Sequence, residues 1–166
     1  MKLYGARGID GRTLLAWAAQ QGWGLDTLPD IVRGAEGKPR FPHHPHLHFN
    51  LSHSGALTLC ALSARPVGVD LECIRPRREG LFRYALTDKE YDQFAALGGD
   101  WPAFYTLWTR KEAWCKYTGL GLRRQWKQTP PKKPFARSYA GEGWRAAVWG
   151  EEPPPAQIIW MEGDTP

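Results

Sequence analysis

The chain contains little cysteine and no long apolar segment. Its three cysteines, Cys60, Cys73 and Cys115, are odd in number and widely spaced, which fits neither a disulfide framework nor a C-x-x-C zinc site. No apolar run approaches the roughly 18 residues that would span a membrane, and Met1–Asp10 lacks the apolar segment of a signal peptide. We therefore expect a cytoplasmic protein with reduced thiols and no membrane association.

Hydrophobic residues make up 42% of the 166 residues, which is enough for the core of a single domain. Lysine and arginine exceed aspartate and glutamate by 22 to 17, and the resulting net charge of +5 favours anionic partners. All five histidines fall between His43 and His53. No cysteine or acid lies near enough in the sequence to complete a tetrahedral zinc site, so we expect none there.

One stretch near the middle of the chain predicts a helix from about Trp101 to Thr118. Pro102 suits the first turn, where its missing N–H is not needed, and Gly119 suits a left-handed C-cap. The apolar residues of this stretch share one broad arc at helical spacing.

Three charged residues of this helix are candidates for a site. Glu112 and Lys116 lie four residues apart at the edge of the apolar arc, where they could equally form an ordinary surface ion pair. Lys111 falls inside the arc. Because a buried ammonium is costly without an anionic partner, we expect an anion to meet this face.

The stretch 66–73 alternates with period two and predicts a strand. Asp70 and Glu72 share one face of it, and two neighbouring carboxylates repel each other unless a cation or a proton lies between them. Such hard oxygen ligands suit Mg²⁺. A solvated strand face is the alternative interpretation of so short a pattern.

A third stretch, Phe49–Gly55, predicts a short strand that runs into a turn. Together the three stretches contain Asn-Leu-Ser-His-Ser, Gly-Val-Asp-Leu-Glu and Trp-Thr-x-Lys-Glu-Ala-x-x-Lys-x-x-Gly. In this order they resemble the motifs of the 4′-phosphopantetheinyl transferases, and most closely the larger, surfactin-type branch. The resemblance extends loosely from Gly37 to Leu122 and is weakest over residues 1–36, where the N-terminal half is short for that branch.

The resemblance implies an α+β fold of two similar fused halves, each a small, mostly antiparallel sheet packed on a long helix. We expect a single domain over residues 1–166, with halves of roughly 1–64 and 65–166, and a monomer. Other expectations come from the residues. A helix should open at Asp10 or Gly11 and end near Gly22, a second should begin with a Thr87–Glu90 capping box, a hairpin should turn at 141–143, and a last strand should cover 158–161.

The activity implied by the resemblance is transfer of 4′-phosphopantetheine from coenzyme A to a serine of an apo acyl or peptidyl carrier protein, with release of 3′,5′-ADP. Asp70, Glu72 and Glu112 would bind Mg²⁺, Lys116 would neutralise phosphate charge, and Glu112 is the candidate general base. The carrier could serve fatty-acid, polyketide or nonribosomal-peptide synthesis.

The same resemblance implies which residues bind coenzyme A: Lys38, Arg40, Ser52, His53, Lys111 and Lys116. For Lys111 a structural role at the seam between the two halves is the alternative. Lys38 lies within a Gly-Lys-Pro segment, and Arg40 directly follows it. In the family this segment lies against the nucleotide end of coenzyme A. Arg75, Arg77 and Arg78 could face an acidic carrier, or they could simply be solvated.

Two other functions stay open at this point. The acidic residues could serve a different Mg²⁺-dependent phosphoryl-transfer or nucleotide-hydrolysing enzyme. Alternatively, the chain could be a non-catalytic module that binds carrier protein. The basic residues Arg123, Arg124 and Lys127, interleaved with Trp126, would suit a nucleic-acid surface, but we expect no nucleic-acid partner.

Overall fold

The computed structural model describes residues 1–34, 37–121, 127–131 and 135–161. Arg123, Arg124 and Trp126, which the sequence offered as a nucleic-acid surface, lie outside these ranges. The elements in chain order are β1 (Lys2–Arg7), α1 (Gly11–Trp23), β2 (Val32–Arg33), β3 (Pro39–Arg40), β4 (His48–Ser54), β5 (Leu57–Ser63), β6 (Val67–Cys73), α2 (Gly80–Ala85), α3 (Asp88–Ala96), α4 (Trp101–Thr118), β7 (Phe135–Gly141), β8 (Trp144–Gly150) and β9 (Ile159–Trp160).

The first sheet has the strand order β4-β5-β1-β9 and is antiparallel except for the β1–β9 pair. Helix α1 packs on one face of it, where Leu14 and Leu15 are fully buried. Asp10 caps the start of α1 as predicted. The helix ends at Trp23, one residue past Gly22, and Gly24 is its left-handed cap at a φ of 69°. A Cβ on Gly22 would come within 2.8 Å of Leu62, so this glycine allows close packing on the sheet.

The second sheet has the order β6-β8-β7 and is antiparallel throughout. Its hairpin, β7–β8, turns at the predicted glycines. One face of this sheet packs against the free face of the first sheet through residues such as Leu59, Val69 and Val148. The other face packs on α4, where Ala113 and Trp114 meet β8. The molecule is therefore layered as helix, sheet, sheet, helix.

This arrangement confirms the predicted α+β class, with each of two small, mostly antiparallel sheets packed on a helix. Strand β9, from near the end of the chain, joins the first sheet. The predicted division into halves near residues 64 and 65 stays a prediction. Among the described residues, no helix has both the length and the apolar character needed to cross a bilayer.

Two shorter helices connect the second sheet to α4. Helix α3 begins with both hydrogen bonds of the predicted capping box between Thr87 and Glu90. Helix α4 has the predicted bounds, with Pro102 in its first turn and Gly119 as a left-handed cap at a φ of 72°. These local signals succeeded because each one satisfies or removes a free backbone group at the helix end.

Candidate active site

A ladder of side chains joins the edge strands of the two sheets. Asn50, Ser52 and Ser54 lie on one face of β4 and accept backbone N–H groups of β6 at 2.8, 3.2 and 3.0 Å. The donors, in the same order, are Val69, Leu71 and Cys73. The ladder satisfies an edge of β6 that pairs with no strand of the described residues, and it holds the Asn-Leu-Ser-His-Ser stretch beside the two carboxylates.

Helix α4 crosses β6 at Gly68, where the backbones approach closely. A Cβ on Gly68 would lie 2.1 Å from the carbonyl oxygen of Ala113 and 2.3 Å from the backbone nitrogen of Tyr117. Only glycine permits this distance. Because Asp70 and Glu72 follow on the same face of the strand, the contact brings them to the helix face that carries Glu112 and Lys116.

Asp70 is the most enclosed of the carboxylates, at 2% exposure. Its Oδ1 accepts hydrogen bonds from Lys116 Nζ at 2.7 Å and from Ser52 Oγ at 3.1 Å. Its Oδ2 is buried and has no hydrogen-bond partner in the described part of the chain. Burial raises the pKa of Asp70, and the Lys116 ammonium opposes that rise.

Glu72 lies two residues further along β6 and is less enclosed. Its Oε2 accepts a hydrogen bond from Ser54 Oγ at 3.0 Å. Burial raises the pKa of Glu72, and the charge of Asp70 adds to the effect, while the bond from Ser54 opposes it. The two strand carboxylates therefore repel each other, as the sequence predicted.

Glu112 completes the cluster from α4. Burial and then the charge of Asp70 raise the pKa of Glu112 to about 7, with a further contribution from Glu72 and an opposing one from Lys116. Trp108, one helical turn earlier, donates a side-chain hydrogen bond to Glu112. A carboxyl group with a pKa near neutrality can hold or release a proton at physiological pH.

The donor set fits a hard divalent cation. The charge of Asp70 raises the pKa values of Glu72 and Glu112, and one buried oxygen of Asp70 has no donor among the described residues. Within the described ranges, however, no three His, Cys, Asp or Glu side chains are already grouped as a set of metal ligands. Lys116 instead supplies the positive charge nearest to Asp70. Binding of a cation would therefore require the carboxylates to close around it.

Comparison with known proteins shows the family to which this cluster belongs. Residues 66–155, which include β6, α4 and β8, match the model of the 4′-phosphopantetheinyl transferase superfamily. The match covers more than half of the chain. The chain belongs to this superfamily.

Relatives from two bacterial genera carry the same name. A 4′-phosphopantetheinyl transferase of Bacillus subtilis is 36% identical over 120 residues, which are 70% of this chain and 53% of that protein. Sfp of Bacillus subtilis (strain 168) is 38% identical over 88 residues, which are 52% of this chain and 39% of Sfp. AcpT of Escherichia coli (strain K12) is 37% identical over 118 residues, which are 68% of this chain and 57% of AcpT. The chain spans about half the length of the curated relatives it matches.

The superfamily resemblance assigned Lys38 and Arg40 to coenzyme A, and both line a cleft of about 550 Å³. Lys38 also borders a second cleft, of about 300 Å³, which contains Glu112 and Lys116. Its Nζ donates to the carbonyl oxygens of Val67 at 2.9 Å and Tyr117 at 3.0 Å. Lys38 therefore joins β6 to the end of α4, with one ammonium hydrogen left for a ligand.

Ser52 and His53 have different surroundings although they are neighbours. Ser52 is buried, and its hydroxyl contacts Asp70, Leu71 and Lys116. His53 is exposed and lies on the opposite face of β4. Consecutive strand residues point to opposite faces, so the two side chains cannot both face the carboxylate cluster.

The side chain of Lys111 points away from the cluster. It is fully buried, its Nζ lies 2.6 Å from Oε2 of Glu90, and it donates to the carbonyl oxygen of Ala85 at 2.9 Å. Sequence reasoning expected an anion at this face, and Glu90 is that anion. This pairing favours a structural role for Lys111 over contact with coenzyme A, because its amine is enclosed inside the protein.

Sequence reasoning missed three residues that shape the site. Trp108 contacts Glu112, Ser54 contacts Glu72, and Glu90 neutralises Lys111. The contact of Trp108 with Glu112 could have been predicted, because residues four apart on a helix lie side by side. The other two contacts join residues 18 and 21 positions apart, and no local pattern encodes them.

Proposed function

We propose that this protein transfers the 4′-phosphopantetheine group of coenzyme A to a serine of an apo acyl or peptidyl carrier protein and releases 3′,5′-ADP. The observation that carries the proposal is the convergence of Asp70, Glu72, Glu112 and Lys116 between β6 and α4. Family membership over these elements supports it.

Coenzyme A fits the two clefts that share Lys38. Their volumes, about 550 and 300 Å³, lie in the range of small-molecule sites. The wider cleft, with Arg40 at its wall, suits the nucleotide end, since arginine pairs well with phosphate. The narrower cleft contains Glu112 and Lys116 and suits the pyrophosphate. His53, on the other face of β4, would reach only a part of coenzyme A that extends around the strand.

The carrier protein would approach from a third cleft, of about 450 Å³, which Glu72 lines. Arg77 and Arg78 line it together with apolar residues such as Leu81 and Trp108. Paired arginines beside an apolar surface suit an acidic helical partner. The carrier serine would then reach the carboxylate cluster from the side opposite to the nucleotide.

Asp70, Glu72 and Glu112 would hold Mg²⁺, and their carboxylate oxygens are the donors that this cation prefers. The unpartnered Oδ2 of Asp70 supports the assignment, because a buried carboxylate oxygen without a donor is costly unless a cation meets it. Bound Mg²⁺ would supply Lewis-acid polarisation of the phosphoryl oxygens.

The protein's own residues would perform the remaining work. Glu112 would accept the proton of the carrier serine. The serine oxygen forms a bond to the β-phosphorus of coenzyme A as the bridging P–O bond breaks, and 3′,5′-ADP departs with the electron pair. Lys116 would offset the charge that develops on the phosphates.

We also propose that residues 1–166 act as one monomeric domain with halves meeting near residues 64 and 65. The seam between them would be the β4–β6 ladder. All three cysteines are free thiols, which supports action in a reducing, cytoplasmic compartment.

The test is the intact mass of an apo acyl carrier protein after incubation with this protein, coenzyme A and Mg²⁺. We expect the carrier to gain one phosphopantetheine, and we expect EDTA and Glu112→Gln to prevent the gain. Glu142→Gln is the matched control, because Glu142 is an exposed residue in the β7–β8 turn.

Three outcomes would contradict the proposal. Release of 3′,5′-ADP at the same rate without any carrier would indicate a hydrolase. Unchanged transfer by Glu112→Gln would show that the carboxylate cluster is not the active site. Binding of carrier without any mass gain, across acyl and peptidyl carriers, would indicate a non-catalytic binding module.

A further inference from the structure

Two serines of β4 make the same pair of contacts with β6. Ser52 Oγ lies 3.1 Å from Oδ1 of Asp70 and accepts the N–H of the next residue, Leu71. Ser54 Oγ lies 3.0 Å from Oε2 of Glu72 and accepts the N–H of Cys73. Each serine thus contacts one carboxylate and the backbone immediately after it.

This repeated geometry restricts how each carboxylate can turn. A hydroxyl has one donor hydrogen. Its oxygen accepts a fixed backbone N–H, and its O–H lies within hydrogen-bonding distance of the carboxylate. One oxygen of each acid is thereby held, and the other oxygen is left for a different partner. For Asp70 that other oxygen is the buried, unpartnered Oδ2.

We propose that Ser54 is a positioning residue that orients Glu72 for cation binding, as Ser52 orients Asp70. This inference depends on the metal site of the proposed function. Ser54 is the sharper test case, because Ser52 also accepts a hydrogen bond from Lys116. Replacing Ser52 would disturb the lysine and the aspartate together, whereas the hydroxyl of Ser54 contacts Glu72 alone among charged groups in the described ranges.

The rival explanation is that Ser54 only stabilises the seam between the sheets. The chain contains a matched control for it. Ser63 Oγ donates to Glu152 Oε2 at 2.9 Å and accepts the N–H of Arg65 at 3.2 Å, so it makes the same two kinds of contact. It lies at the end of β5, and it contacts none of the three acids of the cluster. Removing either hydroxyl should therefore cost similar stability, but only Ser54 should affect a cation.

The experiment is a calorimetric titration of the full chain with Mg²⁺ alone, without coenzyme A or carrier. We expect Ser54→Ala to bind Mg²⁺ about tenfold more weakly than the wild type, as is typical when a residue that orients a metal ligand is removed. Ser54→Thr keeps the hydroxyl and should bind within about twofold of the wild type. Ser63→Ala should bind like the wild type.

Equal Mg²⁺ affinities of Ser54→Ala and Ser63→Ala would overturn the inference and leave the metal site intact. Failure of the wild type itself to bind Mg²⁺ would instead overturn the metal site and the inference with it. Circular dichroism checks the folding of each variant. If Ser54→Ala does not fold, Ser54→Cys decides, because a thiol is a weaker donor. Unchanged affinity in that variant would refute the positioning role.

Discussion

At the scale of single residues, Lys38 shows how burial changes a charged group. Its ammonium donates to two backbone carbonyls and is largely withdrawn from water, and this burial lowers the pKa of Lys38 to about 8. In the unfolded chain the ordinary value, 10.5, would return. Folding therefore releases a proton from Lys38 between these two pH values.

The consequence is a pH dependence of stability with a definite sign. Between pH 8 and 10.5 the unfolded chain binds more protons than the folded one, so the contribution of Lys38 to stability rises with pH. We expect the free energy of unfolding of the wild type, relative to Lys38→Met, to increase over this range by at most about 1.4 kcal/mol per pH unit. Urea unfolding at a series of pH values measures it.

Two further variants control this measurement. Lys38→Arg keeps its charge at every pH used, so its stability relative to Lys38→Met should stay flat from pH 8 to 10.5. Lys89 is exposed on α3. In Lys89→Met the free energy of unfolding should therefore change with pH as it does in the wild type. If the free energies of unfolding of the wild type and Lys38→Met changed in parallel with pH, burial would not lower the pKa of Lys38 in the folded protein.

At the scale of elements, the contact between β6 and α4 depends on Gly68. The atoms that a new Cβ would meet, at 2.1 and 2.3 Å, belong to the helix backbone and cannot rotate away. We expect Gly68→Ala to lower the free energy of unfolding by about 3 kcal/mol or more in urea denaturation. Displacement of α4 should also separate Glu112 from the strand carboxylates and reduce transfer activity.

Gly80→Ala is the matched glycine control for this element. A Cβ on Gly80, in α2, would meet nothing within 4 Å. Alanine is also the better helix former, so we expect a gain of about 0.5–1 kcal/mol. Similar destabilisation by the two substitutions would contradict the close approach at Gly68.

The pairing of Lys111 with Glu90 joins α4 to α3 inside the protein. Both side chains are almost fully buried, and Glu90 Oε2 also accepts the N–H of Thr87 in the capping box. We expect Lys111→Met to cost about 3–5 kcal/mol of unfolding free energy, because it leaves a buried carboxylate without its cation. Adding Glu90→Gln should recover part of that loss, since the amide oxygen can still cap the helix.

A double-mutant cycle in urea tests this pairing. The loss in the double variant should be clearly smaller than the combined losses of Lys111→Met and Glu90→Gln. Strict additivity would mean that the two residues stabilise the protein independently. Lys111 directly precedes Glu112 in α4. The coupling free energy from the cycle therefore also measures how strongly α3 stabilises the part of α4 that carries Glu112.

At the scale of the whole molecule, the net charge of +5 should steer acidic partners towards the arginine-lined cleft beside Glu72. Raising NaCl from roughly 50 to 500 mM shortens the range of this attraction. We expect the KM for an acidic carrier to rise several-fold over that interval while kcat changes little, as measured by the mass assay at several carrier concentrations.

The arginines of the cleft should account for much of this effect. Arg77→Ala with Arg78→Ala should raise KM at low salt and flatten its dependence on salt. Arg12→Ala removes one positive charge from the exposed surface of α1 and should behave like the wild type. An equal effect of Arg12→Ala would mean that overall charge, and not the cleft, controls the encounter.

Local patterns predicted the elements well, because their causes lie within a few residues. Pro102 suits the start of α4 and Gly119 its end through groups of the helix's own first and last turns. Strand β6 followed from alternation over seven residues. The same locality explains why the end of α1 was predicted one residue early: a glycine indicates a helix terminus, but Gly22 is a packing position against Leu62.

The sequence by itself determined the family, the α+β class and the acids and lysine that gather at the site, because these are encoded in short motifs and in the periodicity of strands and helices. Only the tertiary structure decided which groups pair. Lys111 meets Glu90, Ser54 meets Glu72, and Lys38 meets two distant carbonyls. The physical reason is distance along the chain: a buried polar group must find whatever partner the packing brings near, and local spacing does not specify that partner.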